Sequence, residues 1–304
     1  MDKTDIVESL SKVFWNRFVQ ASDEKRIRSQ TPDAGVTVVS DVSYIDDGAR
    51  EHLFDVYYRE NDPGSDPIII DIHGGGWEYG YKEINKYYCM RLAAKGFVVY
   101  SINYRLVPEV TLAGQLQDCM TALKFIGEHL ACYPGDTGEV FLTGDSAGAQ
   151  LAGYCALLNK SAELRRIWDT VDTDLEFNAV ALTSPVVFPN QGIYKTLLSP
   201  VFGKDIRFRP YADLINIDAA LEFADLPPCC LITSSGDFMA QKQAHQLYYL
   251  LRTKNTECVI YDFPKWEGKS LPHVFAVVDP YSEPSVACID GMLEFFRDHL
   301  KNKE

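Results

Sequence analysis

The sequence predicts an α/β fold, a mostly parallel central sheet with helices on both faces. Three observations predict it. Apolar runs of strand length alternate with amphipathic stretches of helix length from residue 67 to the end. Most of those runs are apolar throughout, the pattern of parallel strands covered on both sides. Two glycine-rich turns, "HGGGW" at 73–77 and "GDSAG" at 144–148, each follow such a run.

The elements follow in chain order. Residues 1–30 read as helix, with Val7, Leu10, Phe14 and Phe18 at helical spacing, until "TPDAG" at 31–35 breaks the pattern. "HLFDVYYRE" at 52–60 is a strand rich in β-branched and aromatic residues. "PIIIDIHGGG" at 67–76 is a buried strand running into glycine, and 81–96 is a helix closing on Gly96. A strand follows in "FVVYSINYRL". Leu116, Met120, Leu123, Ile126 and Leu130 then mark one face of a helix over 115–130. "EVFLTG" at 139–144 is a strand and "AGAQLAGYCALL" a helix. Strands at 178–187, 229–236 and 257–263, a helix at 241–255 and a closing helix at 285–300 complete the alternation.

Two segments stand outside it: the N-terminal 1–35, and 188–228, which holds Pro189, Pro200, Pro210, Pro227 and Pro228. Both are expected to form a small cap over the sheet, so the chain reads as one domain over 1–304 with no internal repeat.

Composition narrows the function. The chain has 43 acidic and 29 basic residues, a net charge of −14, and no basic stripe. Nucleic acid and anionic membrane surfaces are poor partners for such a surface. No stretch is apolar enough to cross a bilayer and the start, "MDKTDIVESL", shows no secretory pattern, so stable membrane insertion is not expected. Eight cysteines, none in a CxxC pair, lie mostly within apolar runs. They read as reduced thiols in a cytoplasmic protein, with neither disulfides nor zinc.

The chemistry centres on Ser146. Gly144-x-Ser146-x-Gly148 sits between a strand and a helix, the context of a nucleophile elbow. Taken alone, the pattern is as readily an incidental turn. "HGGGW", about 70 residues upstream and also after a strand, is where an oxyanion loop belongs. Gly74 and Gly75 are its natural N–H donors, with the Ala147 N–H as a third, while His73 orders the loop. A phosphate cradle needs a Lys-Ser/Thr or a G-x-G-x-x-G that this loop lacks.

"HGGGW", "NYRLVPE" and "GDSAG", in this order, resemble the hormone-sensitive-lipase-like branch of the α/β-hydrolases, a family of carboxylesterases and lipases. "DLPPCCLITSSGD" at 225–237 is similar to that family's entry into the strand carrying the acid. The resemblance covers residue 50 onward and implies an α/β-hydrolase fold with a small helical cap. It also implies a triad in the chain order serine, acid, histidine. Asp237, ending the next-to-last strand, fits the acid, and His273, after the last strand, fits the base. Asp262 comes too late and Asp225 too early for the acid. His245 lies mid-helix and His299 in the final helix, as surface or packing residues.

The sequence departs from the family in Asp237-Phe238-Met239, His273-Val274-Phe275 and Asn103-Tyr104-Arg105. Arg105, Glu109 and Asp118 read as structural. Trp77, Tyr79, Phe238 and Val274 are the candidates for lining the substrate site, with aromatic packing an equally good account of the first two.

The function expected is a serine carboxylesterase acting on small or short-acyl esters, acetyl esters among them, through an acyl-enzyme, with no metal or organic cofactor. The rivals are an arylformamidase-like amide hydrolase with the same triad and a non-catalytic ligand-binding protein of the same fold. The partner expected is a small-molecule ester; a homodimer is left open.

Overall fold

The computed structural model describes residues 15–61, 64–191 and 209–301. Eight strands form one sheet: β1 (Val36–Ser43), β2 (Leu53–Arg59), β3 (Pro67–Ile72), β4 (Val98–Ile102), β5 (Asp136–Asp145), β6 (Phe177–Thr183), β7 (Cys229–Ser234) and β8 (Cys258–Phe263). Their spatial order is β1-β2-β4-β3-β5-β6-β7-β8. β2 runs antiparallel to both its neighbours, and every other pairing is parallel.

The helices are α1 (Gln20–Ser29), α2 (Lys86–Ala94), α3 (Leu112–His129), α4 (Ala147–Lys160), α5 (Ala162–Trp168), α6 (Ile217–Ala220), α7 (Gln241–Thr253), α8 (Phe275–Val278) and α9 (Glu283–Asp298). They cover both faces because the inner strands are apolar at consecutive positions. On β3, Ile68, Ile70 and Ile72 join a cluster with Leu116 of α3, Leu151 of α4, Leu164 of α5 and Leu247 of α7. Ile69 turns the other way, into a cluster with Leu92 of α2 and Ile289, Met292 and Phe296 of α9. Strand alternation thus builds two apolar layers around one sheet.

The sequence reading and the structure differ in particular places. β1 was not expected as a strand. It is an edge strand, none of its residues is fully buried, and its register with β2 breaks between Val39 and Val42, where Asp41 has φ 60. Its apolar alternation is correspondingly weak. The helix expected at 81–96 opens with a 3-10 turn at Lys82–Asn85, and the strand expected to reach 187 stops at Thr183.

Of the expected cap, residues 1–14 and 192–208 lie outside the described residues. From the first segment, a π-helical turn at Trp15–Val19 leads into α1. From the second, a 3-10 turn at Ala212–Leu214 and α6 pack on α4, which holds them by backbone carbonyls. Gln150 Nε2 donates to Ile215 O at 2.9 Å, and the Tyr154 hydroxyl donates to Leu214 O.

Candidate active site

Strand β5 ends on a reversal too sharp for an ordinary residue. Ser146 has φ 53 and ψ −116 and caps α4, a conformation that costs a non-glycine residue about 1–3 kcal/mol. Its neighbours explain the glycines. A Cβ on Gly144 would lie 2.5 Å from Gly148 O, and one on Gly148 would lie 2.1 Å from Ile72 O and 2.3 Å from His73 O. Gly148 is therefore required by the end of β3 as much as by its own turn. The next strand pins the reversal: Ser146 N donates to Thr183 O at 2.9 Å and Val186 N to Ser146 O at 3.3 Å.

Two loops bring partners to that serine. His273, ahead of α8, places Nε2 2.8 Å from Ser146 Oγ and Nδ1 2.9 Å from Asp237 Oδ1. Asp237 follows β7 and is 1% exposed. Its Oδ1 also accepts Met239 N at 3.2 Å and Ala240 N at 2.9 Å, at the start of α7. Burial alone would raise this carboxyl. Hydrogen bonding to His273 and its charge, with Ser184 and the Ala240 N–H, outweigh burial and hold it below the usual aspartate value. An ionised Asp237 can only accept, so Nδ1 carries the imidazole proton and Nε2 is free to accept from the serine hydroxyl.

The loop after β3 faces this serine. Gly75 has φ 120 and a Cβ there would meet Tyr79 O at 2.0 Å; Gly76 has φ 60. Tyr104 donates its hydroxyl to His73 O at 2.7 Å and stacks on the His73 ring, whose Nδ1 lies 2.8 Å from Gly74 O. Complete burial pushes the His73 pKa down to about 4, so its ring is neutral at pH 7.

The assignment of Gly74 as an oxyanion donor is corrected here. Its N–H donates to Asp145 Oδ1 at 3.0 Å and is already used. The N–H groups of Gly75, Gly76 and Ala147 have no acceptor among the described residues. Gly75 and Gly76 therefore keep open donors where Gly74 does not, as does Ala147 at the N-terminus of α4.

A family model described as BD-FAE matches residues 54–186. The isoprenylcysteine alpha-carbonyl methylesterase ICME of Arabidopsis thaliana is 29% identical over 205 residues, 63% of this chain and 47% of that protein. The chain spans about half the length of the curated relatives it matches. The crystal structure of Esterase B from Lactobacillus rhamnosis superposes with a TM-score of 0.91 at 28% identity, over 98% of this chain and 96% of that one. The chain has the α/β-hydrolase fold of these esterases. The same Lactobacillus esterase has also been solved inhibited by a C4-C4 tributyrin phosphonate, again at a TM-score of 0.91.

Within this hydrolase fold, two of the four residues expected to line the substrate site, Trp77 and Tyr79, are taken up by packing. Trp77 is 2% exposed and packs in the core with Leu112 and Tyr104, its carbonyl accepting Gln115 Nε2 at 2.8 Å. Tyr79 is buried; it stacks on Trp15 at 5.4 Å and donates its hydroxyl to Asp23 at 3.1 Å. Phe238, next to Asp237, is 91% exposed. Val274 packs half-buried against the α9 layer, with φ 50 and its N–H on Ser184 Oγ at 3.0 Å. Trp77 and Tyr79 are drawn into the core by the area they bury.

His245 is not bonded to Ser146. On the outer side of α7, its Nε2 pairs with Asp262 Oδ2 at 2.7 Å, beside Gln241. Arg105 forks onto Asp118 at 2.6 and 2.8 Å. Among the described residues, no group of three or more His, Cys, Asp or Glu side chains could hold a metal ion, and no helix is long and apolar enough to cross a membrane.

Sequence reasoning missed three polar residues behind the site. Asn85 Nδ2 donates to Asp145 Oδ1 at 2.9 Å and to Asp71 Oδ2 at 3.0 Å, bridging two buried carboxyls. Burial and the neighbouring Asp145 push the Asp71 pKa up to about 7, and burial raises Asp145 as well. Ser184 is the third. A polar residue inside an otherwise apolar strand, as Asp71 is in "PIIIDI", was the available signal.

Proposed function

We propose that this chain is a serine carboxylesterase of small, short-acyl esters. The observation that carries the reading is His273, which bridges Ser146 and Asp237 at 2.8 and 2.9 Å. Three N–H groups without an acceptor beside a strained serine add a place for negative charge to develop.

In this reading Ser146 attacks the acyl carbon while His273 Nε2 takes the hydroxyl proton. The oxyanion forms against the N–H groups of Gly75, Gly76 and Ala147. His273 then gives its proton to the departing alcohol, leaving an acyl-enzyme. Water attacks that ester with the same base, and Ser146 is regenerated. Asp237 keeps the imidazole in one tautomer and stabilises its charged form. Short acyl groups are proposed because the structurally similar Lactobacillus esterase accepts a tributyrin-type phosphonate. A reducing, cytoplasmic setting is proposed because all eight cysteines are free thiols and seven are buried.

The test is hydrolysis of nitrophenyl esters from acetate to palmitate, beside a formyl anilide, with Ser146→Ala as control. The expected result is a maximum at short chains and loss of turnover in the variant. Turnover of the anilide alone would move the reading to an amidase, and turnover of neither would leave a ligand-binding protein.

A further inference from the structure

The end of β6 and the residues just beyond it, Thr183–Val186, bond to Ser146 and to the residue that follows His273, and neighbour Asp237. Thr183 O accepts the Ser146 N–H at 2.9 Å, and Val186 N donates to Ser146 O at 3.3 Å. Between them, Ser184 Oγ accepts the N–H of Val274, the residue after His273, at 3.0 Å. The same hydroxyl neighbours Asp237 and favours its ionised form.

Ser184 is also costly to hold. It is 1% exposed and has φ 48, a left-handed conformation that a residue with a Cβ adopts at a penalty. Its N–H is tied to Ile232 O of β7 at 2.7 Å, so the strain is imposed by the sheet. Strain of this kind persists where the surroundings over-determine it. A hydroxyl is amphoteric: having accepted from Val274, Ser184 still has its own proton to give. Asp237 has room for such a donor: its Oδ1 carries three donors, while its buried Oδ2 has no hydrogen-bond partner among the described residues.

We propose that Ser184 is a positioning residue that registers the acid loop and the base loop to the nucleophile through its hydroxyl. It touches neither substrate nor the reacting oxygen. The nucleophile, acid and base come from the ends of β5, β7 and β8, and β6 lies between the first two. One side chain at the end of β6 is therefore placed to bind the other two loops, while the backbone on either side of it binds the serine.

The inference rests on the esterase reading. Its test compares Ser184→Gly and Ser184→Ala with the wild-type chain on nitrophenyl butyrate. Wild-type turnover checks the esterase reading; the variants check Ser184. Glycine removes both the hydroxyl and the left-handed penalty, whereas alanine removes the hydroxyl and keeps the penalty. The expected result is a kcat lowered about 10- to 100-fold in both, with KM within about twofold. Melting temperature should be unchanged or higher for glycine and lower for alanine. With one donor removed, the carboxylate attracts the imidazolium proton more strongly, so the acid limb of the kcat/KM profile should move to higher pH in both. A glycine variant with wild-type kcat and an unmoved acid limb overturns the proposal. So does a loss of activity that tracks melting temperature across the two variants, since that is the behaviour of a merely structural serine.

Discussion

Gly148 stands so close to Ile72 that a Cβ would come within 2.1 Å of its carbonyl oxygen. The start of α4 and the end of β3 therefore meet backbone to backbone, and the serine turn and the oxyanion loop form one steric unit. Gly148→Ala should destabilise the fold by at least the roughly 1–3 kcal/mol of an overpacked core, because backbone must move. A urea titration measures it; a midpoint matching wild type would mean the two segments separate easily.

Among the described residues His52, His245 and His273 each pair with aspartate, and only the His273–Asp237 pair reaches a serine. His273→Ala should lower kcat by at least about 10⁴-fold. His245→Ala removes a surface pair with Asp262 that is partly exposed on both sides, worth at most about 1 kcal/mol, and should leave kcat within about twofold. Steady-state kinetics on one short ester decides between them. Equal losses would mean that His245 acts in turnover.

The Gly74 N–H rests on Asp145, so the glycine loop takes its position from the residue preceding Ser146. Asp145→Ala should lower kcat about 10- to 100-fold with little change in KM, because Gly75 and Gly76 lose their anchor. Asp145→Asn keeps an accepting oxygen and should retain more activity. An alanine variant with full kcat would show that the loop holds itself.

Asp71 makes stability depend on pH. Its pKa in the folded chain is about 7 against an ordinary 3.8, so the folded chain keeps a proton that the unfolded chain releases. Stability is then fully present below about pH 4 and falls as pH rises to about 7, by an upper bound of about 4 kcal/mol, and levels off above. Asp71→Asn removes this dependence while still offering an oxygen to Asn85. The melting temperature of the variant relative to wild type should climb between pH 4 and 7 and then stay constant. A difference independent of pH would mean that Asp71 is charged throughout.

Much of the sheet was legible because seven of its strands are covered well enough to be apolar at consecutive positions. β1 was not, since an edge strand with a bulge at Asp41 has little apolar pattern to read. The positions of Ser146, Asp237 and His273 could be read from chain order, because each follows a strand. Gly74 was misassigned for a physical reason: three successive glycines look alike in sequence, and only the direction of each N–H tells a structural bond to Asp145 from an open donor. Asn85 and Ser184 act through hydrogen bonds across 60 and 90 residues, which no local pattern encodes. Trp77 and Tyr79 were ambiguous as aromatics beside a loop, and packing resolved them.

The pairing of β7 with β8 has a consequence for how the molecule comes into being. β8 is the last strand in the chain and lies at the rim of the sheet, and the loop beyond it carries His273. A folding intermediate could possess the serine turn, the glycine loop and most of the secondary structure and still lack its base. Hydrolysis would therefore be the last property acquired in refolding and the first lost when the rim frays. On the esterase reading, turnover then reports, more sharply than any spectroscopic signal averaged over the chain, whether the final strand has docked.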